Sequence, residues 1–132
     1  MTTTRESINP VSWSLGLGFD QAQIIERHQR VLICSGQDAV DAAGNPQHAG
    51  DMAAQLELAL DNLEAVLADA HMALPNIVRL NVYTTDVDEL ATHWPSLTAR
   101  FGGSGRFVTS VLGVTRLFAP QLRVLLEATA AA

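Results

Sequence analysis

Few side chains in this sequence have the type and spacing for chemistry. The four histidines, His28, His48, His71 and His93, form no i, i+4 pair, and no cysteine cluster supports them, so no metal site is expected. His93, beside Trp94, reads either as an acid or base at a cleft or as a surface histidine at a helix start. Cys34 is the single cysteine; it excludes an internal disulfide and reads as a buried structural thiol, since a nucleophile needs a base nearby and none is placed there. Ser35-Gly36 follows an apolar run, and backbone N–H groups at such a turn can receive a ligand carboxylate; the plainer reading is a turn that needs glycine. Arg106 offers the planar fork that anchors a carboxylate, or is a solvated loop charge. Glu127 can position a water for attack or satisfy a structural partner. The stretch Gly102-Gly103-Ser104-Gly105 lacks the lysine and strand-to-helix setting of a phosphate-binding loop and reads as a spacer at a cleft rim.

Composition narrows the classes further. The chain has 132 residues, 48% of them hydrophobic, enough for one domain with a real core. Acidic residues number 14 against 8 basic, which argues against a partner bound through its phosphate backbone. Only 17% of residues are charged and the mean hydropathy is +0.15, so disorder is excluded and apolar surface buried between subunits is expected. No apolar run approaches 18 residues, so no membrane span is expected. The opening Met1-Thr2-Thr3-Thr4-Arg5 shows no hydrophobic leader, and the expected compartment is the cytoplasm.

The elements that must position these residues follow from periodicity. Residues 1–7 are polar and expected to be flexible, leaving 8–132 as a single domain. Ala22 to Ser35 reads as a β-hairpin turning at residues 27–30, its second arm buried on both faces. After a loop over residues 38–50, Asp51 opens a strong helix. Its apolar positions Met52, Gln55, Leu56, Ala59, Leu60, Leu63, Val66, Leu67 and Ala70 follow the i, i+3/i+4 rule. Residues 77–84 alternate as a half-buried strand. A second helix ends near Phe101; Pro95 confines its start to about Thr92, with a separate turn before it. Two strands close the chain, over residues 107–115 and 122–129, the alanine-rich end continuing the last. The order is β-β-α-β-α-β-β, an α+β class with two helices packed on one face of a mixed sheet.

A family resemblance rests on residues spread over this pattern. They are Ser35-Gly36-Gln37, Val40-Asp41 and Gly44; Gln55, Ala59-Leu60-Asp61-Asn62-Leu63 and Val66-Leu67; Val78-Arg79-Leu80-Asn81-Val82-Tyr83 with Asp86; and Gly113-Val114, Leu117 and Glu127-Ala128-Thr129-Ala130. In order and spacing the chain resembles the Rid family, reactive intermediate deaminases of the YjgF type, from about Asn9 to Ala130. The resemblance implies a chorismate-mutase-like (YjgF-type) α+β fold and a homotrimer whose sheets form a central barrel, with ligand clefts between subunits. It implies hydrolysis of 2-imino acids to 2-keto acids and ammonia, with no metal or organic cofactor.

The resemblance also locates departures. Thr109 stands where archetypal members place the carboxylate-binding arginine, and Leu125 where they place the water-positioning glutamate. Phe19 replaces the usual tyrosine, and Trp94 a small polar residue. Three readings follow. One is an imine or enamine hydrolase using Arg106, Glu127 and a bound water. Another is a non-catalytic ligand-binding or regulatory trimer, whose cleft of Phe19, Trp94, Val111 and Leu125 prefers an apolar or aromatic compound. The last is a different reaction in the same cleft. Expected partners are further copies of the chain and a small molecule, carboxylate or apolar, with no nucleic acid or membrane.

Overall fold

A computed structural model of the chain describes residues 2–103 and 105–132. Its best-determined element from sequence is α1 (Met52–Asp69). The Asp51 carboxylate accepts the Ala54 N–H at 3.0 Å, capping the first turn. The predicted stripe is the one buried: Met52, Gln55, Leu56, Ala59, Leu60, Leu63 and Leu67. Gln55 is polar yet fully enclosed. Its amide donates to the His48 and Gln121 carbonyls, and its oxygen accepts the Arg123 N–H at 2.8 Å, so every group is paired.

The strands are β1 (Thr4–Ile8), β2 (Ala22–Glu26), β3 (Val31–Ile33), β4 (Gln37–Asp38), β5 (Ile77–Thr84), β6 (Val108–Gly113) and β7 (Val124–Ala131). The main sheet runs β3-β7-β5-β6, with β4 also on β7. Among the described strands of this sheet only β5 and β6 pair in parallel, so the sheet is mixed. The crossover between them is made by α2 (Val87–Thr92) and α3 (Trp94–Phe101). Leu80, Val82, Leu126 and Ala128 on one sheet face share a core with the α1 stripe, Leu90 of α2, and Leu97 and Phe101 of α3. Arg100 of α3 forks onto Glu57, Asp61 and Glu64 of α1, tying the two helices together across the surface. Among the described residues, no helix is long and apolar enough to cross a membrane.

The α+β class and one-sided helix layer agree with expectation; several details differ. The expected second helix is two helices, making three α-helices among the described residues. The chain breaks at His93 so that Pro95, which has no N–H to donate, sits in the first turn of α3. The expected β2–β3 hairpin does not form. β2 pairs instead with β1, and β3 with β7, giving four strands before α1 among the described residues rather than two. Arg27, at φ 60°, turns the chain between the two sheets. The β3 arm is not buried on both faces either, since Ile33 is 80% exposed. Residues 4–7, within the segment 1–7 expected to be flexible, form β1 with Ile8 because a polar cluster holds them.

That cluster joins the small sheet to the large one. Arg5 donates to the carbonyls of Pro75, Ile77 and Arg106 and to the Gln23 side chain. Asp20, only 1% exposed, accepts from Ser7 at 2.6 Å, Asn9 at 2.9 Å and Gln23 at 2.8 Å. Burial pushes the Asp20 pKa up. The three side-chain donors and the Arg106 charge together outweigh that, and hold it below the ordinary carboxylate value.

Two predictions follow from these buried polar groups. Gln55→Leu strands two carbonyls and one N–H, and should cost about 2–4 kcal/mol in urea unfolding; a loss below about 0.5 kcal/mol would show that water replaces the amide. A carboxylate whose folded pKa is depressed stabilises the fold above its unfolded value, near ~3.9, and that contribution disappears as pH falls through the folded value. The stability gap between the wild type and Asp20→Asn should therefore be widest at neutral pH and shrink on acidification below about pH 4. A gap constant across that window would show that Asp20 is not held in its charged form.

Candidate functional site

A recess of about 340 Å³ opens on the helix side of the sheet. It is lined by Leu17, Phe19, Val87, Leu90, Ala91, Trp94, Thr109 and Val111. Each wall has a local cause. The 3-10 turn Trp13–Leu17 ends at Gly18, whose φ of 86° reverses the chain into Phe19. A residue with a Cβ at Gly18 would adopt a strained left-handed backbone, and that Cβ would lie 3.1 Å from the Thr98 methyl, which would have to give way. Phe19 then bridges to Phe107 and meets Trp13 edge-on at 5.7 Å. Asp86 caps α2 by accepting the Glu89 N–H, and the helix sets Val87, Leu90 and Ala91 on one side at i, i+3 and i+4. Thr109 and Val111 pair with Leu80 and Val82, whose side chains are buried beneath the helices; all four share that face.

The recess holds no charge among the described residues, and its two polar side chains are already engaged. The Trp94 indole donates to the Leu17 carbonyl at 2.7 Å, and the Thr109 hydroxyl donates to the Leu80 carbonyl. What remains for a guest is an apolar wall.

The other predicted site residues lie elsewhere in the protomer. Leu125 pairs with Tyr83 and Glu127 with Asn81, on the sheet face turned away from the helices. The Glu127 carboxylate accepts from the Tyr83 hydroxyl at 3.0 Å and from the Asn81 amide at 3.4 Å, and this acceptor raises the Tyr83 pKa. Leu125 packs onto Gly36, so closely that a Cβ there would lie 2.6 Å from its methyls; Ser35 beside it is exposed. Within a single protomer Leu125 is therefore apart from Phe19, Trp94 and Val111, with which it was expected to line a cleft between subunits. Strand pleating puts it on the opposite face.

Arg106 is also outside the recess. Its guanidinium lies 3.8 Å from Asp20, and its carbonyl is held by Arg5 and Gln23. Ser104, part of the expected spacer, lies outside the described residues. Cys34 is buried, and burial pushes its thiol pKa up, as suits a structural thiol. The sequence reading missed Leu17, Val87, Leu90 and Ala91. The last three carried a signal, an apolar i, i+3, i+4 set just after the Asp86 cap; Leu17 carried none.

This geometry can be set beside known proteins. The chain matches the family described as Endoribonuclease L-PSP over residues 19–132. It resembles DfrA of Myxococcus xanthus, with 34% identity over 62 residues, 47% of each chain. It resembles the mitochondrial protein mmf2 of Schizosaccharomyces pombe, with 34% identity over 85 residues, 64% of this chain and 63% of that one. The matches thus span from about half to under two thirds of these curated relatives. Among solved structures, YyfB of Yersinia pestis, a protein of unknown function in the conserved Rid family, is similar with a TM-score of 0.88 and 32% identity over 97% of this chain and 98% of that one. A family pattern over residues 19–132 and a Rid fold shared along nearly the whole chain place this protein in the Endoribonuclease L-PSP family, the Rid/YjgF proteins.

Proposed function

We propose that this Rid protein binds a neutral apolar or aromatic small molecule in the recess walled by Phe19, Trp94 and Val111, and does not hydrolyse 2-imino acids. The observation that carries this reading is the state of the polar groups. Trp94 and Thr109 spend their donors on backbone carbonyls, and Arg106 is turned onto Asp20. A 2-imino acid brings a carboxylate that must lose water to enter, and no described charge in the recess repays that loss. A neutral aromatic gains about 25 cal/mol for each Å² of apolar surface removed from water and strands no charge.

The open sheet face supports a homotrimer as part of the same proposal. Val31, Ile33 and Leu112 are exposed apolar side chains on or beside that face, an unusual set to leave in water. Covered by neighbouring copies, this face would bring another protomer's Ser35, Gly36, Leu125 and Glu127 towards the recess. Even so, Leu125 adds hydrocarbon where a water-positioning acid would be needed, and Glu127 is held by Tyr83 and Asn81.

Three measurements test the proposal. Indole should raise the melting temperature of the wild type, and Trp94→Ala should weaken that binding by roughly ten-fold or more. Freshly generated 2-iminobutanoate should decay in the presence of micromolar protein at the buffer rate. Acceleration abolished by Arg106→Ala or Glu127→Gln would instead establish the hydrolase reading. Sedimentation equilibrium should report about 42 kDa, three copies of 14.1 kDa; a stable 14.1 kDa particle would remove the shared cleft.

A further inference from the structure

The apolar recess is incomplete within one protomer. Three of its lining side chains stay well exposed: Leu17 at 48%, Val87 at 44% and Val111 at 39%. Trp13, edge-on against Phe19, is 62% exposed. A cleft that holds a small apolar guest encloses most of its surface. Here part of that enclosure is missing.

The chain also carries a side chain of the matching kind. Phe118, in the loop between β6 and β7, is 97% exposed, more than any other large hydrophobic side chain among the described residues. It therefore does not enter the recess of its own protomer. Nor does it sit on a slack segment. The Val114 N–H donates to the Thr84 carbonyl at 2.8 Å as the loop begins. The Arg116 guanidinium folds back onto the carbonyls of Leu117 and Phe118, each at 3.3 Å. The Leu122 N–H closes a turn on the Ala119 carbonyl at 3.1 Å. Buried Gln55 then fastens the Gln121 carbonyl and the Arg123 N–H to α1. An aromatic ring on a fixed backbone loses little freedom when it docks, which is what an interface anchor needs.

We propose that Phe118 of a neighbouring copy closes the mouth of the recess, so that a guest is held between Trp94 and a ring supplied by the next protomer. The occupant is a second copy because both halves of the contact are present in one chain and do not meet there. Both halves are uncharged, which favours this contact between chains that each carry a net charge of −6. The two patches differ, so the contact runs head to tail and closes into a ring in the proposed trimer. One aromatic side chain buries ~150–250 Å², short of the ~1,000 Å² of a specific interface. Phe118 therefore acts together with the exposed Val31, Ile33 and Leu112, and the inference rests on the trimer and the apolar recess proposed above.

A benzophenone amino acid at position 118 tests the contact directly. Irradiation should give covalently joined copies, with the attachment mapped by mass spectrometry to the segment of Leu17 and Phe19 or to that of Val87 and Trp94. Attachment only elsewhere, or an assembled sample that yields only unjoined protomers, would overturn the inference. Phe118→Ala removes no packing within the protomer and should keep the wild-type circular dichroism while weakening indole binding roughly five-fold or more. Phe118→Tyr, which keeps the ring, should bind indole within about two-fold of the wild type. Where Phe118→Ala also dissociates, the mapped attachment alone decides. A wild type that sediments as a single 14.1 kDa copy removes the trimer and this contact together. A trimer that cross-links as expected but binds no indole sinks only the apolar-ligand reading. A trimer that binds indole, and binds it equally as Phe118→Ala, sinks only the Phe118 contact.

Discussion

Successive side chains on β5, β6 and β7 point to opposite faces of one sheet, and the candidate site depends on that pleat. Leu80, Val82, Thr109, Val111, Leu126 and Ala128 face the helices; Asn81, Tyr83, Ser110, Leu112, Leu125 and Glu127 face away. The core holds this register firmly. A slip of one residue in β7 would lift Leu126 and Ala128 out of contact with α1 and bury Glu127 in their place. Thr109 and Leu125 therefore cannot meet inside one protomer, whatever chemistry each position is suited to. A site using both faces needs a second copy, and each half must first be judged by what it holds alone.

Judged so, the helix-side half is a hydrocarbon recess with its donors spent, and the open-face half is a carboxylate already held by a phenol and an amide. The buried Asp20 cluster explains why Arg106 does not repair the first half. Its backbone carbonyl is fastened by Arg5 and Gln23, and its side chain leans to Asp20, which does not line the recess. Reaching the apolar recess would mean leaving the one anion it faces and entering a region with none. The polar cluster that docks β1 thus also holds the Arg106 charge away from the apolar recess.

How legible each feature was depends on where its determinants lie. α1 was readable to within a residue because its determinants are local: an aspartate cap and a 3.6-residue apolar period. The break at His93 was half readable, since Pro95 announces that no helix interior can contain it, but not that a capped helix precedes it. β1 was not readable. Thr4-Arg5-Glu6-Ser7 has a polar composition that resembles a frayed terminus, and what orders it is Arg5 reaching carbonyls some 70 residues away. The hairpin expectation failed for the same reason, because the true partner of β2 was hidden. At the site, family resemblance found Phe19, Trp94, Thr109 and Val111, which the structure does gather. It set Leu125 with them in a cleft between subunits; which face each occupies within one protomer is decided by the pleat, which acts across the chain.

The departures from the archetype are also mutually consistent in physical terms. A guanidinium at position 109 would sit among Leu90, Ala91, Trp94 and Val111, with no described acid in reach. There it would favour an anionic guest and be costly without one. Threonine carries no charge, and its hydroxyl is absorbed by the Leu80 carbonyl of the neighbouring strand, so the empty recess bears no unpaired donor. Once that charge is absent, Phe19 and Trp94 in place of smaller or more polar groups add contact area at no electrostatic cost. Leu125 follows the same logic on the other face, where a lone acid over Gly36 would need a water or a cation to face. On the proposed reading, the substitutions describe one change of solvent environment, from a site built around an anion to one built around its exclusion.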